Sequence, residues 1–103
     1  MKINRFDTVI HAPNRLQICA FLAPLEEAEF QVLRAELDVS DSVLSKHIEQ
    51  LEEVGYLKQR KSKMNGRQRT WACLTRKGRK AFACHVEELK RLVDPANQSR
   101  LDD

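Results

Sequence analysis

Apolar positions recur along the chain at helical spacing in several blocks, with short polar punctuation between them. Residues 13–23, PNRLQICAFLA, open with proline at a first helical position and stop before Pro24. Leu16, Ile18, Cys19, Phe21 and Leu22 leave little of that helix polar, which predicts that it is mostly buried. A short helical turn is expected before it, at residues 5–10. A second helix fits residues 26–37, with acids crowding its first turn and Phe30, Leu33 and Leu37 forming one apolar stripe. The tripeptide DVS (38–40) reads as a tight connection in which Ser40 caps the next helix. That third helix, residues 41–54, stops at Gly55. At about 100° per residue Leu44, Ile48 and Leu51 converge on one side, with His47 at its edge. Ser42, Ser45, Lys46, Glu49 and Glu53 take the opposite side.

The period then changes from helical to alternating. Two strand-like runs, 56–62 and 68–74, flank Asn65-Gly66, a strong hairpin signal because both residues tolerate positive φ. Thr75 is placed to cap a last helix, 76–93, whose stripe is Phe82, Val86, Leu89 and Val93 and which Asp94-Pro95 ends. No internal repeat or inter-domain linker interrupts the pattern. The expectation is one domain over residues 1–95 and a frayed polar tail at 96–103.

Charge sharpens this picture. The net charge of +3 says little, but between Lys58 and Lys80 there are ten Lys or Arg and no Asp or Glu. The remainder holds eight basic and fifteen acidic groups, a balance of −7. An acidic body with one strongly basic segment suits a polyanion bound at one surface. With no signal-peptide-like start and no apolar run of about 20 residues, the chain is expected in the cytoplasm, away from membranes.

The order helix, helix, short turn, helix, basic hairpin, helix has a helix-turn-helix layout, whose second helix enters the DNA major groove. The hairpin would form a wing beside it. The predicted class is α+β, mainly α: a winged helix-turn-helix with a helical core, a two-stranded β-hairpin wing and a C-terminal dimerisation helix. Candidate DNA-reading residues are Ser40, Ser42, Ser45 and Lys46. Candidate wing contacts are Lys58, Arg60, Lys61, Lys63, Asn65, Arg67 and Arg69, with Asn65-Gly66 at the tip. Glu49, Glu52 and Glu53 come later in the helix and are expected to point away from DNA. The apolar surplus at Phe82, Val86, Leu89, Leu92 and Val93, joined by Phe6, marks a homodimer surface.

Residues 40–57, SDSVLSKHIEQLEEVGYL, resemble the recognition-helix segment of winged-helix regulators of the ArsR and MarR type. Residues 66–82, GRQRTWACLTRKGRKAF, resemble their wing and following helix, and 12–22, APNRLQICAFL, their early helix. The resemblance implies a dimeric transcription regulator that binds double-stranded DNA. It also implies a structural role for His47. The C-x-C pair that binds soft metals in many arsenic-type members is missing.

Other chemistry is thin. Cys19, Cys73 and Cys84 are widely spaced and read as reduced thiols, Cys19 and Cys73 as small apolar fillers. Cys84, His85 and Glu88 could supply part of a metal site, but that is too few ligands for zinc in one chain. Trp71 is expected to cover the domain. No catalytic constellation stands out, so no enzyme, no cofactor and no metal are expected, and any small-molecule effector is unspecified. The competing readings are a winged-helix module that docks on protein or RNA, and a metal- or thiol-responsive DNA-binding sensor.

Overall fold

A computed structural model describes residues 7–94. Phe6, the start of the expected first helical turn, and the tail at 96–103 lie outside the described residues. The element order is α1 (Thr8–His11), α2 (Pro13–Leu22), β1 (Ala28–Glu29), α3 (Phe30–Leu37), α4 (Asp41–Glu53), β2 (Leu57–Met64), β3 (Arg67–Leu74) and α5 (Arg76–Val93).

Each boundary has a local cause. The Asp7 carboxylate caps α1 by accepting from the Val9 and Ile10 N–H groups. Pro13 opens α2 at a position where its missing N–H costs nothing. Between α3 and α4 the chain turns through Asp38, in the left-handed region at φ 56°. Ser40 then caps α4 by accepting from Val43 N–H at 3.2 Å. Arg34 braces this turn from outside, its guanidinium 3.2 Å from Asp41 and donating to the Val39 carbonyl at 3.3 Å. At the other end of α4, Gly55 sits at φ 82°, Gly55 N–H donates to Glu52 O, and Tyr56 N–H donates to Leu51 O. Those two bonds are the Schellman pattern that stops a helix.

The sheet departs from expectation. The second helix begins at Phe30, not at residue 26, because Ala28 and Glu29 form a two-residue strand. Ala28 pairs with Ala72 and Glu29 with Trp71, giving a three-stranded antiparallel sheet in the order β1-β3-β2. Pairing lets Ala28 enter the core and carries the neighbouring acids across to cations on the hairpin instead of leaving them at a helix start. The hairpin itself runs in register from Leu57↔Leu74 to Met64↔Arg67. Asn65 at φ 52° and Gly66 at φ 78° make the two-residue turn, with both central residues at positive φ as a type I′ turn demands.

The core gathers apolar side chains from most elements: Ile10, Ile18 and Leu22, Leu33, Leu44, Ile48 and Leu51, then Leu57 and Leu74. The last helix meets it at the Phe82 end of the expected stripe and otherwise along a line beside that stripe. Gly78 and His85 are its buried positions, with Ala81 and Phe82 packed partly against the core. Val86 and Leu89 are half-buried, and Leu92 and Val93 are 57% and 67% exposed. The buried line therefore runs through a glycine and a histidine, neither of which registers as hydrophobic.

Gly78 is fixed by space. A Cβ there would lie 2.0 Å from the Tyr56 carbonyl oxygen, a backbone atom that cannot rotate away. Gly78→Ala is expected to cost about 2–4 kcal/mol through forced displacement of α5. Gly66→Ala, in open space but at positive φ, should cost only about 1 kcal/mol. Urea denaturation of both variants checks this, and a Gly78→Ala protein as stable as the parent would contradict the close approach.

Candidate nucleic-acid interface

The exposed side of α4 begins with Ser42, continues through half-buried Ser45 and exposed Lys46, and is set by what lies behind it. Arg15 of α2 does much of the setting. Its Nε donates to the Val9 carbonyl, and its Nη1 reaches both Gln50 Oε1 and His47 Nδ1, the latter at 3.3 Å. Asn14 Nδ2 lies 3.2 Å from His47 Nε2. Arginine can only donate, so His47 Nδ1 is the acceptor toward Arg15. Burial, then the Arg15 charge, holds His47 below the ordinary histidine range. His47 is thus a packed, hydrogen-bonded residue at the core edge, as expected. The roles of Arg15 and Asn14 were not foreseen; only their place in the early-helix segment 12–22 marked them. Ser40 is spent on capping, and its hydroxyl lies 3.2 Å from that of Ser42.

Alternation divides the wing into two faces. Leu57, Gln59, Lys61 and Lys63, with Thr70 and Gln68 opposite the last two, share one face. That face looks toward α4 across a cleft of about 340 Å³ lined by Asp41, Ser45 and Glu49 on one side and Gln59, Lys61 and Thr70 on the other. Lys58, Arg60, Ser62 and Met64 lie on the opposite face with Trp71, Arg69 and Arg67.

The second face holds the carboxylates of the β1 segment. Arg60 donates through Nε and Nη2 to the two oxygens of Glu27 and lies 5.5 Å from the centroid of the Trp71 ring. Arg69 Nη1 donates to Glu29 at 2.7 Å. The Arg60 hydrogen bonds hold the Glu27 carboxyl below its usual range. The six hairpin cations are therefore not equivalent. Arg60 and Arg69, expected on phosphates, have partners within the chain. Lys58, Lys61, Lys63 and Arg67 have no ion pair among the described residues; Lys63 and Arg67 flank the Asn65-Gly66 tip, and Lys61 sits mid-strand beside α4. Trp71 lies half-buried beneath Arg60, covering the sheet as expected. The acids of α4 separate too: Glu52 accepts from Gln59 Nε2 at 3.1 Å, whereas Glu49 faces the cleft and not away from it.

Residues 14–93 match the model of the winged helix DNA-binding domain family. The chain belongs to that family. A relative from Methanocaldococcus jannaschii, itself uncharacterised, is 38% identical over 92 residues, covering 89% of this chain and 94% of its own. The solved structure of a transcriptional regulator homologue from Pyrococcus horikoshii superposes with a TM-score of 0.81 at 30% identity, covering 88% of this chain and 90% of that one. A homodimeric winged helix-turn-helix DNA-binding domain from Mycobacterium bovis, a possible ArsR-family regulator, shares the fold at TM-score 0.68 and 18% identity, over 87% and 81% of the two chains.

In this winged-helix domain a second polar knot lies behind the wing. Tyr56 donates to the Asp7 carboxylate, which with burial pushes the phenol up to about 12. His85, fully buried, accepts at Nδ1 from the Asp7 N–H at 3.4 Å, and its Nε2 is 3.1 Å from His11 Nδ1. Burial, then His11, holds His85 below the ordinary range. Cys84 next to it is exposed, so the pair does not share a face as ligands would. No group of three His, Cys, Asp or Glu able to hold a metal occurs among the described residues. Cys19 is buried and pushed up to about 12, mainly by burial, and stays a thiol. No helix among the described residues is long and apolar enough to cross a membrane.

The two depressed histidines give a pH signature. Unfolding returns each to about 6.5, so the unfolded chain binds more protons near that pH. The stability they contribute is present above about pH 6.5 and is lost as pH falls through their lower folded values. Glu27, also depressed, loses its contribution only at lower pH, below about 4.3. Urea midpoints should therefore fall between pH 7 and 5, and His47→Gln should flatten part of that fall. A flat midpoint across the window would contradict the lowered pKa of both rings.

Proposed function

We propose that the chain is a small transcription regulator that binds double-stranded DNA as a two-fold dimer, with α4 in the major groove and the wing tip on flanking phosphates. The observation that carries the reading is the set of unpaired hairpin cations, Lys61, Lys63 and Arg67, beside the polar first turns of α4. Ser42, Ser45 and Lys46 present small or basic groups to base edges, and Asn65 shapes the tip. Ser40 acts through its cap, where it ends the turn and orients α4. Arg60 and Arg69 support the middle of the wing through Glu27 and Glu29, and Lys58 adds charge nearer its base. A partner protein or RNA docked on the wing is the weaker reading, because the unpaired charge gathers on one protruding hairpin beside α4.

Dimerisation follows from the last helix. Leu92 and Val93 are exposed apolar residues, and Val86 and Leu89 are covered only in part. A second copy of α5 would bury this line with Phe82 at its inner end, and Phe6 is proposed as a further contributor. The homodimeric fold relative supports such pairing. One recognition helix per protomer would then read half-sites about 34–36 Å apart.

Two measurements test this. Removing one phosphate-binding cation should reduce the slope of log affinity against log salt by about 0.9. Ala at Lys61, Lys63 and Arg67 together removes six cations from a dimer and should therefore flatten it by about 5 and weaken binding to every sequence. An unchanged slope would remove the wing from the interface. Sedimentation at micromolar concentration should show a dimer that Leu89→Arg dissociates, and a monomeric parent protein would refute the two-fold assembly.

A further inference from the structure

One acid on the candidate DNA-facing surface has no partner among the described residues. Glu49 follows Ser45 by four residues and Lys46 by three, so it shares their side of α4. It lines the cleft facing Lys61, and a second shallow hollow along α4 beside Lys46. Neighbouring carboxylates are held: Glu27 and Glu29 by arginines, Asp41 by Arg34, and Glu52 by Gln59. Glu49 is exposed and makes neither an ion pair nor a hydrogen bond with the described residues.

A bare carboxylate on a surface that meets a polyanion weakens every non-specific encounter. It gains only where the DNA offers a hydrogen-bond donor. In the major groove the donors are exocyclic amino groups, and a carboxylate suits the N4 amino group of cytosine. Resting on the reading of α4 as the recognition helix, we propose that Glu49 determines specificity by accepting a hydrogen bond from cytosine N4 and by disfavouring sites that lack this donor. Lys46 and the wing lysines attract DNA in general, and Glu49 subtracts from that attraction everywhere except at the right base. An exposed position one turn past Ser45 leaves the side chain free to extend toward the groove without disturbing the core.

The test starts from duplexes selected by the parent protein out of a random pool. Affinities of the parent, Glu49→Gln and Glu49→Ala for the selected duplex and for a scrambled one are then compared at fixed salt, and the selection is repeated with each variant. Both variants are expected to bind the scrambled duplex several-fold more tightly and to lose about tenfold in the ratio of selected to scrambled affinity. A cytosine favoured by the parent at one position of each half-site should vanish from the variant pools. Equal tightening on both duplexes with the same selected sequence would overturn the proposal and leave Glu49 a general repulsive charge. A parent protein that selects no sequence would overturn the reading of α4 itself. Loss of selection in Lys46→Ala alone, with Glu49→Gln reading the same bases as the parent, would keep the first reading and overturn the second.

Discussion

Both ends of the wing and both helices that flank it are tied at one backbone crossing. The Tyr56 carbonyl accepts from Thr75 N–H at 2.9 Å, and the Thr75 hydroxyl donates to the Gly55 carbonyl at 2.6 Å while accepting from Gly78 N–H at 3.0 Å. Only a residue without Cβ lets α5 begin so near that carbonyl. The end of α4, the base of β2 and the first turn of α5 are thereby held within a few residues of each other. Arg79, one step on, donates to the Ala23 and Leu25 carbonyls and ties the same helix to the end of α2. The angle between the candidate reading helix and the wing, and between both and the candidate dimer helix, depends on this crossing.

The uneven charge acquires a second meaning once the partners are known. The acidic body and the basic segment are opposites that partly meet at β1, where two carboxylates hold two of the hairpin guanidiniums on the face away from α4. Exposed ion pairs contribute little stability singly. Here the two hydrogen bonds from Arg60 to Glu27 and its place over Trp71 add direction, so the pairs stiffen the middle of a long hairpin while Lys61, Lys63 and Arg67 stay unpaired. The paired charge serves the wing's shape, and the unpaired charge is available to a ligand.

Much of this was legible in the sequence where a single residue type has a single physical use. Asn65-Gly66 marked the turn, Ser40 and Thr75 the caps, Gly55 the end of α4, and the apolar period of α4 its inner face. What stayed hidden depends on tertiary pairing. A two-residue strand is too short for any periodicity, so Ala28 and Glu29 were absorbed into the helix that follows them. The pairing of Arg60 and Arg69 with Glu27 and Glu29 follows from that strand and was hidden with it. The inner line of α5 was not legible because a hydrophobic stripe finds Phe82, Val86 and Leu89 but not the glycine and histidine buried beside them. For the candidate site, Ser42, Ser45 and Lys46 could be placed from periodicity alone, but the cleft position of Glu49 needed the wing beside it.

The hairpin's tight turn also governs how the wing can change length. A two-residue turn with both centres at positive φ closes on a pair that exchanges hydrogen bonds, here Met64 and Arg67. Such pairs alternate along an antiparallel ladder, so one extra residue in each strand would bring a pair of the other kind to the tip. The turn could then no longer close in the same form. Lengthening that keeps this turn must come two residues per strand at a time, moving the tip by about 7 Å per step. The reach of the wing is quantised by its own hydrogen-bond pattern.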